Sequence, residues 1–176
     1  KLAYVGGGIS GIEAAKISLA SGKELVIIER LPFLGGIWCT SANKESRIQV
    51  DPISFRPIED EAPVKTPDAE DPFDSFYPNR QEVLARLGHD VTLHGLKERT
   101  LFSTEVTRFT ERPEGGVEVF MRSAGADGSP AGEEFSAVFK ELHVRTGSLT
   151  SHNSNEFRLA NEDAFKGTVA RGIGGD

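Results

Sequence analysis

The residues with the clearest chemical potential in this sequence are three glycines near its start. Gly6, Gly8 and Gly11 have the spacing G-x-G-x-x-G and lie between an apolar segment and a helix-forming segment. In such a turn the first glycine permits a sharp bend, the second lets the backbone approach a pyrophosphate, and the third lets helix and strand pack closely. The helix begins at Ile9 and Ser10, whose N–H groups and hydroxyl can donate to an anion. The spacing indicates a phosphate-binding turn, although ordinary glycine-rich loops can share it.

The residues after the glycines favour the phosphate-binding interpretation. They predict a helix over residues 9–19, closed by Ser21 and Gly22, and a second strand over residues 24–29, which is apolar between charged ends. Glu29 ends that strand roughly twenty residues beyond the glycines, where a carboxylate can accept hydrogen bonds from both hydroxyls of a ribose. This order of strand, turn, helix, strand and acid predicts a site for a dinucleotide.

A second glycine pair follows the acidic residue. Arg30 begins a segment that continues to Gly35, Gly36, Ile37 and Trp38. Two adjacent glycines permit close approach of the backbone to a flat or charged group. Trp38 is the only tryptophan of the chain, and it is either a core aromatic residue or a wall of the cofactor pocket. Its place just after the glycine pair favours the pocket.

Composition excludes several classes of function. The 176 residues, 38% of them hydrophobic, predict one domain with a sizeable core. The formal net charge of −7 and the lack of a basic cluster argue against a nucleic-acid groove, so the expected partner is a small molecule or a protein assembly. No apolar run approaches the roughly 20 residues of a membrane-spanning helix, and no signal-peptide segment precedes the first strand.

Single residue types add further expectations. Cys39 is the only cysteine, which excludes an internal disulfide and favours a reducing compartment such as the cytoplasm or an organelle interior. The four histidines lie too far apart for a local metal signature, so no metal site is predicted. The chain begins at Lys1 without a methionine, so a processed or incomplete product is expected.

The order of the glycine turn, Glu29 and the Gly-Gly-x-Trp segment resembles the flavin-containing monooxygenase family and its Baeyer–Villiger relatives. In that family the first glycine-rich turn holds FAD, and the Gly-Gly-x-Trp segment lies against the flavin. The resemblance, and not the spacing, therefore implies FAD. It also implies a reaction in which NADPH reduces the flavin, oxygen adds at its C4a carbon, and a soft nucleophile or ketone takes an oxygen atom. No side chain is assigned as acid, base or nucleophile, because the cofactor performs the difficult step.

The resemblance extends to residues that would line the flavin and the adenine ring. The family places an asparagine near the reactive edge of the flavin, where this chain has Gln49, in a segment that also holds Arg47. The family equivalent of Val106 offers its backbone to the adenine ring, since main-chain groups can read a base edge. The resemblance thus implies cofactor contacts for all three residues.

Two later motifs match the family only in part. Thr146 and Gly147 resemble an Ala-Thr-Gly turn that closes over the FAD pyrophosphate, but Arg145 stands in place of the alanine. From the sequence, its charge can lie near the phosphates or point away from them. Residues 165–171 resemble the identifying pattern F-x-G-x-x-x-H, with Arg171 in place of the histidine. Since that pattern leads into the NADPH-binding half of the family, monooxygenase activity is less strongly implied than FAD binding.

The rest of the pattern predicts the elements that position these residues. Strict alternation over residues 140–146 predicts a strand with Glu141, His143 and Arg145 on one face, whereas a parallel strand covered on both sides is normally apolar on both. Before this strand, the sequence predicts a solvated acidic loop or lid over residues 59–74 and a helix that begins with a capping box of Asn79 and Glu82 and ends at Gly88. A short strand is then predicted over residues 101–106, followed by a hairpin over 106–122 with its turn at 113–116. A loose tip over residues 123–134 and a returning strand over 135–146 complete the predicted elements.

Together these features predict an α/β fold, namely a Rossmann-like FAD-binding domain with a parallel sheet and an inserted antiparallel β-meander. A single such domain is expected over residues 1–176, as an incomplete part of a two-domain flavoprotein, because no second G-x-G-x-x-G follows a strand. NADPH is expected only if a second domain exists outside this chain. Two functions remain open: the FAD half of an NADPH-dependent flavin monooxygenase, or a non-catalytic FAD-fold subunit of a larger assembly.

Overall fold

A computed structural model describes residues 1–48, 78–147 and 161–167. Within these ranges the regular elements are, in chain order, β1 (Leu2–Val5), α1 (Ile9–Ala20), β2 (Leu25–Ile28), α2 (Ile37–Thr40), α3 (Arg80–Leu93), β3 (Thr100–Leu101), β4 (Thr104–Glu111), β5 (Val117–Ser123), β6 (Phe135–Phe139) and β7 (Glu141–Val144), with short 3₁₀ helices at Lys97–Arg99 and Glu162–Ala164. Across the described ranges, no helix has the length and apolar character needed to cross a lipid bilayer. The predicted acidic loop at 59–74 lies outside the described residues.

The centre of the fold is a parallel sheet with the strand order β3-β2-β1-β7. Its two central strands, β1 and β2, are short and apolar, as expected for strands that are covered on both faces. Leu2 and Tyr4 pack on one face with buried residues of α1 and α3. Ala3 and Ile28 pack on the other face with buried residues of β5. The sheet is therefore the middle layer between two helices and a second sheet.

The second sheet is antiparallel, with the order β4-β5-β6. The predicted hairpin is formed by β4 and β5, and residues 113–116 make its turn as predicted. A β-bulge interrupts the pairing between Val106 and Arg108. The predicted fold class, a parallel sheet with an inserted antiparallel meander, is confirmed.

Helix α3 shows one prediction confirmed and one wrong. The side chain of Asn79 accepts from the N–H of Glu82, whose carboxylate accepts from the N–H of Asn79, which is the predicted capping box. The helix does not end at Gly88, because it continues to Leu93 and places the buried Asp90 against α1. The chain leaves the helix at Gly95, which has φ +56°.

Two predicted strands are divided in the structure. Residues 101–106 belong to different sheets because Ser103, at φ +48°, turns the chain from β3 into β4. Residues 135–146 divide at Lys140, whose N–H donates to the carbonyl of Lys1 at 3.0 Å. The first part is β6 of the meander, and the second part is β7 of the parallel sheet.

The polar face of β7 has a packing partner. The ring of His143 stacks on Tyr4 with a centroid distance of 4.7 Å and an interplanar angle of 16°. The hydroxyl of Tyr4 hydrogen-bonds to that of Ser18 in α1 at 2.7 Å. The predicted polar face of β7 therefore points to the helical side of the sheet, and among the described strands β7 lies at the sheet edge.

Candidate nucleotide-binding site

The turn between β1 and α1 depends on the absence of side chains at two of its glycines. Gly6 has φ +103°, and a methyl group there would lie 2.5 Å from the carbonyl oxygen of Arg145. A methyl group at Gly11 would overlap the carbonyl of Gly6. These two positions thus let β1, β7 and the first turn of α1 approach one another closely.

Gly8 has a different environment. It is the N-cap of α1, where no side chain caps the helix and no acidic residue occupies the first turn. The nearest atom to a methyl group at Gly8 would be the Cα of Gly36, at an ordinary contact distance of 3.6 Å. Since the first N–H groups of a helix have no intrahelical partner, the N–H groups of Ile9, Ser10 and Gly11 are available to donate to an anion. Ser10 is exposed beside them.

Glu29 lies at the tip of β2 and points to this turn. Its side chain is buried, and its carboxylate accepts from the N–H of Gly7 at 2.6 Å and from the N–H of Leu31 at 2.8 Å. A carboxylate has about four acceptor positions, so about two remain for hydroxyl donors. The sequence motif did not identify the role of Gly7, because G-x-G-x-x-G treats that position as variable.

The second glycine pair lies directly against the first turn. The N–H of Gly35 donates to the carbonyl of Gly7 at 2.9 Å. A methyl group at Gly36, which has φ +58°, would lie 2.9 Å from the Cα of Gly8. The two glycine-rich segments, separated by β2 in the sequence, therefore form one continuous backbone surface.

Ile37 and Trp38 follow this contact in the short helix α2. Trp38 is half-buried and packs against the core shared by α1 and α3. Its carbonyl accepts from the Nε of Arg80 at 2.9 Å. This packing agrees with the core interpretation of the tryptophan, and its role as a wall of the cofactor pocket stays a prediction.

The predicted adenine side lies where β2 meets the meander. The carbonyl of Glu29 accepts from the N–H of Thr104 at 2.9 Å, and Val106 packs in the cluster that contains Ile28. A methyl group at Gly128 would lie 3.1 Å from the Nε of Arg30. The proximity of Gly128 to Arg30 could not be predicted, because residues 123–134 have only the composition of a loose tip.

The other predicted site residues divide into three groups. Thr146 reaches the turn, since its Cα would lie 3.2 Å from a methyl group at Gly6, and Gly147 follows it with φ +77°. Arg47 is exposed and forms an isolated β-bridge with Asn79 at the start of α3. Gln49 lies outside the described residues, as does Arg171.

Cys39 is packed beside the site. Its thiol donates to the carbonyl of Leu34 at 3.4 Å. Burial raises the pKa of the Cys39 thiol, the Arg80 guanidinium opposes this shift, and Glu29 adds to it. The neutral thiol is therefore favoured, as expected for a packing residue. No group of at least three His, Cys, Asp or Glu side chains suited to a metal ion occurs among the described residues.

Comparison with known proteins bears on the fold. The structure is similar to a cyclohexanone monooxygenase mutant from Rhodococcus sp. Phi1 bound to NADP+, with a TM-score of 0.65, 22% identity, and 95% of this chain matched to 29% of that chain. S-allyl-L-cysteine S-oxygenase from Allium sativum matches with a TM-score of 0.59 and 22% identity, over 83% of this chain and 36% of that chain. FAD-bound OTEMO matches with a TM-score of 0.61 and 17% identity, over 94% of this chain and 28% of that chain.

This chain shares its fold with a part of each of these proteins. The predicted resemblance to flavin-containing and Baeyer–Villiger monooxygenases is confirmed at the level of the fold. The chain spans only about a third of each matched structure or less. Neither a protein-family profile nor a curated protein sequence matches it.

Proposed function

We propose that this chain binds FAD at the carboxyl edge of its parallel sheet and forms the FAD-binding part of a flavin-dependent monooxygenase. The observation that carries the proposal is the contact of Glu29 with the glycine turn. A buried carboxylate at the tip of β2 accepts from the N–H of Gly7, one residue before the N-cap of α1. This arrangement brings a carboxylate suited to ribose hydroxyls close to a helix end suited to phosphate, which supports the proposal.

The residues present fit the two halves of an adenosine diphosphate group. The N–H groups at the start of α1 suit the pyrophosphate, because neither a side-chain cap nor an acidic residue competes for them. The remaining acceptor positions of Glu29 suit the ribose hydroxyls. Arg30 and the backbone of Val106 are proposed for the adenine end, and Gly36, Ile37 and Trp38 for the flavin end, with Arg47, Gln49, Thr146 and Gly147 as further contacts.

FAD supplies the electron transfer and oxygen chemistry of such enzymes when it is bound. The described residues of this chain provide binding and orientation. Support for the monooxygenase part of the proposal comes from the fold shared with two oxygenases and with an FAD-bound protein. Oxygenation of a soft nucleophile or a ketone, with reduction by NADPH at a second domain, is the proposed activity of the whole protein.

FAD titration of the purified chain tests the binding proposal. Flavin absorbance and fluorescence should report a saturable complex, and ADP should compete for it because ADP contains both groups that the site fits. Glu29→Ala should weaken FAD binding by about 1.5–3 kcal/mol, the range for charge-assisted hydrogen bonds. Gly8→Val should weaken it further, because a side chain there would occupy the space of the pyrophosphate.

A matched control separates binding from folding. Glu133→Ala removes the same charge from an exposed position in the meander and should leave FAD affinity unchanged. Thermal melting of each variant without ligand shows whether Glu29→Ala also releases the loop that its carboxylate holds. Equal FAD affinity in wild type and a folded Glu29→Ala variant would show that the acid is misassigned.

The alternative function is that of a non-catalytic FAD-fold module in a larger assembly. A measurement of turnover distinguishes this module from an enzyme. The full-length protein should consume NADPH and oxygen if it is a monooxygenase. A stoichiometric FAD complex that joins a protein assembly and shows no turnover would favour the module.

A further inference from the structure

The sequence did not show whether the side chain of Arg145 lies near the phosphates or points away from them. The structure shows on which face of the parallel sheet this side chain lies. The N–H of Arg145 donates to the carbonyl of Val5 at 2.7 Å, so it continues the pairing of β7 with β1. Side chains two residues apart on a strand share a face. His143 lies on the helical face, because it stacks on Tyr4. Arg145 therefore projects to the same face as α1.

The position of Arg145 along that face is fixed by Gly11. The Cβ of Arg145 would lie 3.9 Å from a methyl group at Gly11, which is in the first turn of α1. Its carbonyl oxygen would lie 2.5 Å from a methyl group at Gly6, at the start of the same turn. The side chain of Arg145 thus starts beside the helix end that we propose for the pyrophosphate, with the flexible length to reach it.

The charges around Arg145 favour an anion at this place. The first turn of α1 contains no acidic residue, and among the described residues no carboxylate forms a salt bridge with Arg145. A cation beside the positive end of a helix dipole is unfavourable by itself. A bound phosphate reverses this, because it neutralises both the helix end and the guanidinium.

Arg145 and Glu29 come from opposite sides of the turn. Glu29 follows β2 and accepts from the N–H of Gly7, whereas Arg145 follows β7 and is among the nearest neighbours of a methyl group placed at Gly6 or at Gly11. β1 lies between these two strands in the sheet. A ligand seated on the turn would therefore have the Glu29 carboxylate on the side that we propose for the ribose and the Arg145 guanidinium on the other side.

We propose that Arg145 is a ligand of the cofactor pyrophosphate and makes the affinity of this site depend on phosphate charge. The proposal rests on the proposed FAD function. An arginine binds phosphate oxygens through charge-assisted hydrogen bonds, which are roughly twice as strong as neutral ones. Loss of such a contact is expected to weaken binding about tenfold to a hundredfold.

The experiment compares three ligands and three variants by titration calorimetry. Arg145→Ala should lower the affinity for FAD and for ADP about tenfold or more. It should leave the affinity for adenosine unchanged, since adenosine lacks phosphates. Arg145→Lys should be intermediate, because a lysine keeps the charge and loses the planar fork. The control Arg112→Ala removes the same charge from the distant hairpin turn and should bind all three ligands as wild type does.

Salt dependence gives a second readout. ADP affinity of wild type should fall with added salt, and the slope should be shallower for Arg145→Ala, because one fewer charge meets the phosphates. Equal ADP affinity in wild type and Arg145→Ala would overturn the proposal while leaving FAD binding in place. An equal loss for adenosine and ADP would also overturn it, by showing that Arg145 acts through the fold. Absence of FAD and ADP binding in wild type would remove the proposed function and this proposal together.

Discussion

The glycines at the edge of the parallel sheet and Gly115 of the antiparallel meander are required for different physical reasons. At the edge, glycine is required by space: a methyl group at Gly11 would overlap the Gly6 carbonyl, and one at Gly36 would lie 2.9 Å from the Cα of Gly8. In the meander, Gly115 has φ +96° and open space around it. Backbone conformation alone explains that glycine.

Charged residues show the same contrast. The parallel-sheet side buries Glu29, and it buries Lys16 and Asp90 as an ion pair 2.8 Å apart between α1 and α3. The meander keeps its charges at the surface, as in the pair of Arg108 and Glu134. The difference indicates that buried polar geometry is concentrated in the parallel sheet and its two helices, while the meander tolerates change over much of its surface.

The largest expected effect is the loss of the buried ion pair. Asp90→Ala removes the closest carboxylate of Lys16, whose ammonium is also 3.5 Å from Glu13. Removal of one partner of a buried ion pair typically lowers the free energy of unfolding by about 3–5 kcal/mol, because the remaining charge is left unpaired in the low-dielectric interior. Urea denaturation should show this loss as a lower midpoint. The double variant Lys16→Met, Asp90→Leu should recover most of it, and a failure to recover would mean that Asp90 stabilises α3 by some other contact.

The second effect tests the glycine comparison directly. Gly11→Ala should destabilise the chain by about 2–3 kcal/mol, because the added methyl group must push α1 away from β1. Gly115→Ala should cost about 1–2 kcal/mol through its backbone conformation only. Urea denaturation of both variants measures the difference. If both lose the same stability, close packing at the edge is not what requires Gly11.

The two glycine variants should also differ in binding. Displacement of α1 moves the helix end proposed for the pyrophosphate. Gly11→Ala should therefore weaken ADP binding as well as lower the stability of the fold. Gly115→Ala should leave ADP affinity unchanged, because the hairpin turn lies at the opposite end of β4 from Thr104, which bonds to Glu29. A Gly11→Ala variant with unaltered ADP affinity would separate the turn from the ligand site.

A smaller effect is expected where the two regions meet. Gly128 of the meander has φ +80°, and a methyl group there would lie 3.1 Å from the Nε of Arg30. Gly128→Ala should shift Arg30, which we propose for the adenine end, and weaken FAD binding by about 0.5–1 kcal/mol, the size of one ordinary hydrogen bond. Gly132→Ala has similar backbone strain, at φ +74°, without this contact. In an Arg30→Ala background, Gly128→Ala should no longer change the FAD affinity. If the change in affinity persists there, Gly128→Ala does not act through Arg30.

The sequence predicted what is decided locally. The β1–α1 turn, the capping box of Asn79 and the turn at residues 113–116 each depend on residues a few positions apart. The contacts between the two glycine segments, between Lys16 and Asp90, and between Arg30 and Gly128 join distant positions, so no local signal could reveal them. The wrong helix end at Gly88 has the same cause. Burial of Asp90 and Val91 against the rest of the fold holds the helix together beyond a residue with low intrinsic helix propensity.

The smallest effect is expected for the surface pair of the meander. Arg108→Ala removes the ion pair with Glu134 at 2.9 Å, but both side chains are exposed, and exposed pairs contribute little. A hydrogen bond from the Thr107 hydroxyl, followed by one from Arg108, lowers the pKa of Glu134. A lowered carboxyl pKa contributes stability above the ordinary pKa of glutamate, and this contribution is lost as the pH falls through the folded-state pKa. The part of the difference between wild type and Arg108→Ala that comes from the ion pair should therefore be seen near neutral pH and be lost in acid, whereas the part that comes from the contact of the Arg108 guanidinium with the Phe120 ring should remain. A loss as large as that of Asp90→Ala, or one that does not become smaller in acid, would break the distinction between the buried parallel-sheet side and the exposed meander.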